Sequence, residues 1–197
     1  MQVFLFFLIA YLIGSISSAI VVSKILRLPD PRTSGSKNPG ATNVLRISGK
    51  SAAALTLFGD IAKGTIPVVA AQIFLHDPAA VAVALLGTFL GHLYPLYFRF
   101  KGGKGVATAI GAYLGLGIPV IIGVGGVWLI VAAISRYASL SSMLAMLSAP
   151  VIVWYFIGDP LICAASAIVF VFVVVRHRTN IQRLRAGQES KIKLGRS

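Results

Sequence analysis

The sequence predicts an all-α integral membrane protein with seven transmembrane helices, and three observations carry that prediction. Apolar residues fill 57% of the 197 positions and charged residues only 12%, about half the roughly 25% of an ordinary soluble domain. Mean hydropathy is +0.88. At roughly 20 apolar residues per crossing, seven crossings occupy most of the chain, which excludes a soluble enzyme or a large extramembrane domain. The third observation is charge. Eighteen Lys and Arg against five Asp and Glu give +13, which in a soluble chain would suggest a nucleic-acid partner. In a membrane protein the same excess marks cytoplasmic loops, so no nucleic acid is expected.

The elements follow in order. The first apolar run, about 3–24, opens with MQVFLFF and lacks a basic n-region and a small-residue cleavage site, so it reads as a retained span. A polar stretch to Lys50 follows, rich in Gly, Ser, Asn and Pro. The second run, about 51–75, contains Asp60 and Lys63 and stops at His76-Asp77-Pro78. The third, about 79–98, stops at Arg99. Beyond Lys104 a nearly uncharged stretch is divided by Gly115, Gly117 and Pro119 into spans of about 105–117 and 119–135. The last pair, about 139–157 and 160–175, is split by Gly158-Asp159-Pro160, and a basic tail begins at Arg176.

Charge parity decides the span count. With seven crossings, 17 of the 18 Lys and Arg fall on one side and Lys63 lies within a span. Treating 105–135 as one crossing would divide them between both sides, against the positive-inside rule. The prediction is a single polytopic domain, 1–197, with a periplasmic N-terminus and a cytoplasmic C-terminus. Halves of 13 and 17 residues are short, so local thinning or re-entrant geometry is expected there.

Three polar segments carry candidate chemistry. In the loop Thr33-Ser-Gly-Ser-Lys-Asn-Pro-Gly-Ala-Thr-Asn43, followed by Arg46, the residues Ser34, Ser36, Asn38, Thr42 and Asn43 set neutral donors among glycines. Such turns make anion nests, and Arg46 can grip phosphate through two bonds; a plain polar surface loop explains any one of these residues equally well. Lys101-Gly-Gly-Lys-Gly105, ending at Thr108, abuts an apolar helix start. There glycines permit close backbone approach, the helix N-terminus offers N–H groups to an anion and Lys104 adds a full charge. The spacing is not that of a Walker A loop.

The third segment, His177-Arg-Thr-Asn-Ile-Gln-Arg-Leu-Arg-Ala-Gly-Gln-Glu189, places Ile181 and Leu184 on one helical face. Alone it reads as an interfacial helix resting on anionic lipid. Glu189, the sole carboxylate of a tail with seven cations, is expected to order some of them, and His177 is either a base or a structural hydrogen-bonder. Asp60 and Lys63, three apart, read as a pair bracing helix packing, and His92 as a bond to a neighbouring helix. Cys163 reads as packing. No spacing suggests a metal site or a cofactor.

The runs SGSKNPGATNVLR, GHLYPLYFRFKGGKGVAT and HRTNIQRLRAGQE closely resemble the three motifs of the bacterial acyl-phosphate:glycerol-3-phosphate acyltransferases, the PlsY family, in order and over essentially the whole chain. The resemblance implies acyl transfer from acyl phosphate to the 1-hydroxyl of glycerol 3-phosphate, giving lysophosphatidic acid and inorganic phosphate as the first step of phospholipid synthesis. It implies a multi-pass protein of the bacterial cytoplasmic (inner) membrane with its active site facing the cytoplasm, and an upstream enzyme that forms the acyl phosphate. Carried over, Ser36, Arg46, Lys104, His177 and Asn180 fall at catalytic positions. Substrate binding would fall to Asn38, Thr42, Asn43, Gly102, Gly103, Gly105, Thr108, Arg183 and Glu189, with Ser141 and Ser142 as further phosphate donors. Lys37 stands where the family usually has glycine: lysine is costly there if φ is positive, and otherwise adds a cation.

Acyl phosphate carries its own leaving group, so no enzyme nucleophile is required. The base is either His177 or the phosphate of glycerol 3-phosphate. Two other readings use the same residues: a transporter of a phosphorylated small molecule or lipid, and a non-enzymatic scaffold that binds anionic lipid. A transporter would favour a midplane site on broken helices with repeat symmetry, and the sequence shows no convincing repeat.

Overall fold

The computed structural model describes residues 1–192, and these are all-helical, without strands. Lys193 and Arg196, counted above among the tail cations, lie outside the described residues. The chain divides into two compact units, one spanning Met1–Leu116 and one starting at Gly117.

The first unit comprises α1 (Gln2–Gly14), α2 (Ser18–Ile25), α3 (Ala41–Ser48), α4 (Lys50–Leu75), α5 (Pro78–Leu93) and α6 (Val106–Leu116), with one 3₁₀ turn at Leu96–Phe98. The first apolar run is interrupted at residues 15–17 but still stands as one candidate span, Gln2–Ile25. A break at membrane depth is tolerated only where protein groups satisfy the released backbone. Lys63 does so, donating from Nζ to the Ile16 carbonyl at 2.7 Å. Its ammonium also lies 2.9 Å from Asp60 Oδ1. The predicted Asp60–Lys63 pair thus forms, and in addition it anchors the broken span.

Apolar burial cannot drive helices together in lipid, so close backbone approach at small residues takes its place. On α5, Gly87 and Gly91 lie one turn apart against α1, where added Cβ atoms would strike the carbonyls of Phe7 and Tyr11. On α6, Gly111 abuts the Ile61 carbonyl of α4, and Gly64 of α4 abuts the Thr108 carbonyl. These glycines bring α1 against α5 and α4 against α6. Around the first polar loop, Ala19, Val44, Ala52 and Ala53 form a small core joining α2, α3 and α4.

The second unit holds α7 (Ile118–Ser135), α8 (Ala138–Phe156), α9 (Pro160–Arg176) and α10 (Arg178–Arg185), in which α8 packs on α7 and α9. Both Asp-Pro pairs read as boundaries are helix starts. Asp77 caps α5 through the Ala79 N–H, and Asp159 caps α9 through the N–H groups of Leu161 and Ile162. Proline follows each at the first helical position, where its missing N–H costs nothing.

Among the described residues, five helical segments are long and apolar enough to cross a membrane, α1 and α2 together forming one of them, and a sixth is if α9 and α10, bent by 59°, count as one. α6 has 11 residues. At about 1.5 Å per residue it reaches roughly half of a ~30 Å hydrocarbon core. The described residues form an all-helical integral membrane fold.

Candidate active site

The first polar segment is organised by Asn43. This residue is buried. Its Oδ1 accepts from the Ser36 N–H at 2.8 Å, and its Nδ2 donates to the carbonyls of Pro31 at 2.8 Å and Ser34 at 3.1 Å. Asn43 therefore shapes the loop from beneath, with its amide already committed. Ser36, Thr42 and Arg46 are exposed and Asn38 half-buried, so these side chains remain on the outer face. Lys37 has φ +58°. The position does require left-handed backbone, which costs an L-residue about 1–2 kcal/mol.

The second segment is a loop laid directly on the last turn of α5. Gly103 N–H donates to the His92 carbonyl at 3.2 Å. A Cβ on Gly102 would strike that carbonyl, and one on Gly103 would strike His92 Nε2. Gly105 has φ +82° and packs against Phe89 and Leu93. Glycine is thus required at all three positions by neighbours already in place.

His92 is the strut beneath this loop. Its Nδ1 lies 3.1 Å from Thr108 Oγ1 and 3.5 Å from Asp60 Oδ1. Thr108, in the first turn of α6, is fully buried, and its hydroxyl ties α6 to His92. Lys104 is half-buried between two buried glycines at the entrance to α6. The sequence reading of His92 as a bond to a neighbouring helix holds; which residues it meets was not legible, because spacings of 16 to Thr108 and 32 to Asp60 carry no local signal.

In the second unit Glu189 is the hub. Its Oε1 accepts from Ser139 Oγ at 2.7 Å and Asn180 Nδ2 at 2.6 Å, and its Oε2 accepts from Arg183 Nε at 2.7 Å. Burial opposes ionisation of this carboxyl, but the three donors together outweigh it and hold the group below the usual glutamate range. The tail also clips back on Arg136, whose carbonyl accepts from Ile192 N–H at 2.6 Å. Three residues read at the tail, Asn180, Arg183 and Glu189, are thus brought together. Ser139 joins them without having been singled out; nothing marks it apart from Ser141 and Ser142 along the same helix.

Ser141 and Ser142 donate their hydroxyl protons back within α8, to the carbonyls of Tyr137 and Ala138, and Ser142 Oγ also accepts from Trp128 Nε1 at 3.1 Å. His177 stands at the bend between α9 and α10 and is buried. Its Nδ1 lies 2.8 Å from the Val173 carbonyl. A carbonyl only accepts, so Nδ1 carries the proton and Nε2 is the basic nitrogen of the neutral ring.

All five Asp and Glu side chains have structural partners. Asp30 pairs with Arg32, Asp60 with Lys63, Asp77 and Asp159 cap helices, and Glu189 holds the tail.

The family model for glycerol-3-phosphate acyltransferase matches residues 4–187. A glycerol-3-phosphate acyltransferase of Methylococcus capsulatus is 50% identical over 183 residues, covering 93% of this chain and 92% of its own. One from Halorhodospira halophila is 50% identical over 185 residues, covering 94% of each. Among solved structures, the crystal structure of PlsY, an integral membrane glycerol 3-phosphate acyltransferase, in its glycerol 3-phosphate form is similar with a TM-score of 0.92 at 36% identity. That similarity covers 98% of this chain and 96% of the other. The chain belongs to the glycerol-3-phosphate acyltransferase family.

Proposed function

We propose that this protein transfers a fatty acyl group from acyl phosphate to the 1-hydroxyl of glycerol 3-phosphate, yielding lysophosphatidic acid and inorganic phosphate, the first step of phospholipid synthesis. It does so in the bacterial inner membrane with seven crossings, its N-terminus periplasmic and its active site facing the cytoplasm, supplied by an enzyme that makes acyl phosphate. The observation that carries the reading is the commitment of all five carboxylates to structure. The functional segments are left with cations, amides and N–H groups, a set suited to holding phosphates and a substrate that brings its own leaving group.

In the reaction the hydroxyl oxygen of glycerol 3-phosphate bonds to the acyl carbon. The carbon–oxygen bond to phosphate then breaks, and phosphate leaves with the electron pair. Lys104 and the first-turn N–H groups of α6 hold the donor phosphate and stabilise the developing oxyanion. Arg46, Ser36, Asn38 and Thr42 hold glycerol 3-phosphate, with Asn43 fixing their loop. The hydroxyl proton goes to His177 Nε2 or to the substrate's own phosphate. Glu189 holds Asn180 and Arg183 together, which supports a shared role for them in the reaction. Positioning supplies much of the acceleration.

The interruption of the first apolar run would suit a transporter, but Lys63 fills that break. The test uses purified protein in lipid nanodiscs with palmitoyl phosphate and glycerol 3-phosphate, following phosphate and lysophosphatidic acid, with palmitoyl-CoA in parallel. Equal yields of both products from acyl phosphate alone are expected. Product only from the CoA donor would replace the donor, and no product from either would favour transport.

A further inference from the structure

Beside the glycine loop, and sharing its first residue Lys101, the first unit gathers further cations. A crevice of about 400 Å³ is lined by Lys24, Arg32, Tyr97, Phe98, Arg99 and Lys101, a volume in the range of small-ligand sites. Arg32 is neutralised, its guanidinium gripping Asp30 through Nε and through Nη2 at 2.7 Å. That guanidinium holds the Asp30 carboxyl below the usual carboxylate range. No ion pair within 4 Å is formed by Lys24, Arg99 or Lys101 among the described residues, although the Lys24 charge also acts on the Asp30 carboxyl.

Cytoplasmic loops collect Lys and Arg for topology alone, and scattered, solvated cations would need no further account. These are not scattered. Two strained turns frame them: Arg27 has φ +54°, and Arg99 and Phe100 have φ +55° and +58°. The turns are held by bonds from Leu28 N–H to the Ser23 carbonyl at 2.8 Å and from Phe100 N–H to the Pro95 carbonyl at 2.9 Å. Left-handed backbone at consecutive residues with side chains persists only where surrounding contacts impose it, and it clusters at ligand clamps. The chain neighbours of the cations are apolar and outward-facing: Ile25 is 72% exposed, and Tyr97 and Phe100 are each 55% exposed.

We propose that this crevice binds the phosphate headgroup of an anionic membrane lipid, with Lys24, Arg99 and Lys101 on the phosphate and the lipid chains against Ile25, Tyr97 and Phe100. Lys101 also opens the glycine loop, but Lys24 and Arg99 lie outside the residues proposed for acyl transfer, so changes at those two test this reading apart from that one.

The experiment measures the motionally restricted fraction of spin-labelled phosphatidylglycerol and of spin-labelled phosphatidylcholine around the full-length protein in zwitterionic nanodiscs. Acyl-transfer activity is followed as a control for folding. Phosphatidylglycerol should associate at least about threefold more strongly, given the attraction expected from three cations near a lipid surface. The Lys24→Gln/Arg99→Gln variant should lose that preference, and Lys24→Gln alone should lose part of it. Inorganic phosphate, compared with chloride at equal ionic strength, should leave the preference in place. Equal association of both lipids, or a preference surviving in the double variant, would overturn the proposal. Displacement by inorganic phosphate would overturn it too, making the crevice a free-anion site.

Discussion

The glycine loop of the first unit and the clipped tail of the second hold their functional groups by opposite means. The loop rests on backbone and one buried ring: Gly102 and Gly103 lie against His92, and Gly105 against Phe89 and Leu93. The tail is held through one carboxylate, Glu189, with its three donors. Sterics position the first, so salt and mild pH change should leave it intact. Charge positions the second, so protonation should release it. A membrane enzyme that handles phosphates gains from the former where it must present a cation, since a carboxylate there would repel substrate.

The largest effect is expected at Lys104, the cation presented by the loop. Lys104→Ala should lower kcat/KM for palmitoyl phosphate by about 10²–10³, the range for losing one oxyanion donor, with unchanged thermal stability. Loss of folding in place of activity would break the assignment of this loop to chemistry. Next is the buried anchor beneath His92. Asp60→Asn leaves Lys63 without its counter-charge and should destabilise the first unit by about 3–5 kcal/mol, the usual cost of breaking a buried pair. Asp60→Asn/Lys63→Gln should cost less than the single change, as read by thermal unfolding in detergent.

A smaller effect is expected at the tail. Glu189→Gln should weaken the clip by about 1–3 kcal/mol, visible as faster hydrogen exchange over residues 178–192. Because the folded carboxyl is held below its ordinary value, its contribution is present above the usual glutamate range and is lost as pH falls through the lowered folded value. Exchange in the tail should therefore accelerate on acidification, while exchange in the loop at residues 102–105 should not. The smallest effect is at Lys37. Lys37→Gly should relieve left-handed strain of about 1–2 kcal/mol, partly offset by the greater freedom of glycine in the unfolded chain. A net gain below about 1 kcal/mol is expected, with activity retained.

Much of this was legible in the sequence for physical reasons. Apolar run lengths and Asp-Pro punctuation located the helices because a membrane imposes a minimum length and an Asp-Pro pair caps a helix start naturally. The Asp60–Lys63 pairing followed from a spacing of three on one helix. The glycine loop was visible because lysines do not account for three glycines at a helix start. What stayed hidden was non-local. The break at residues 15–17 has no proline, and it is stabilised by a lysine 47 positions away. His92 reads in sequence as bonding a neighbouring helix, but its partners Thr108 and Asp60 are set only once α6 packs against α4 and α5. Ser139 and Ser142 look alike along the chain, yet one reaches Glu189 while the other bonds within its own helix.

The most direct test of the sterically set loop is a double-mutant cycle on Gly103 and His92, read as kcat/KM for palmitoyl phosphate. Gly103→Ala forces a methyl onto the His92 ring and should cost about 1.4–2.8 kcal/mol, or 10- to 100-fold. In Gly103→Ala/His92→Ser the ring is gone, so the methyl has room, and the double variant should be no worse than His92→Ser alone. Strictly additive losses would mean that Gly103 and His92 act independently, and the account of the loop as a cradle set by that ring would be contradicted.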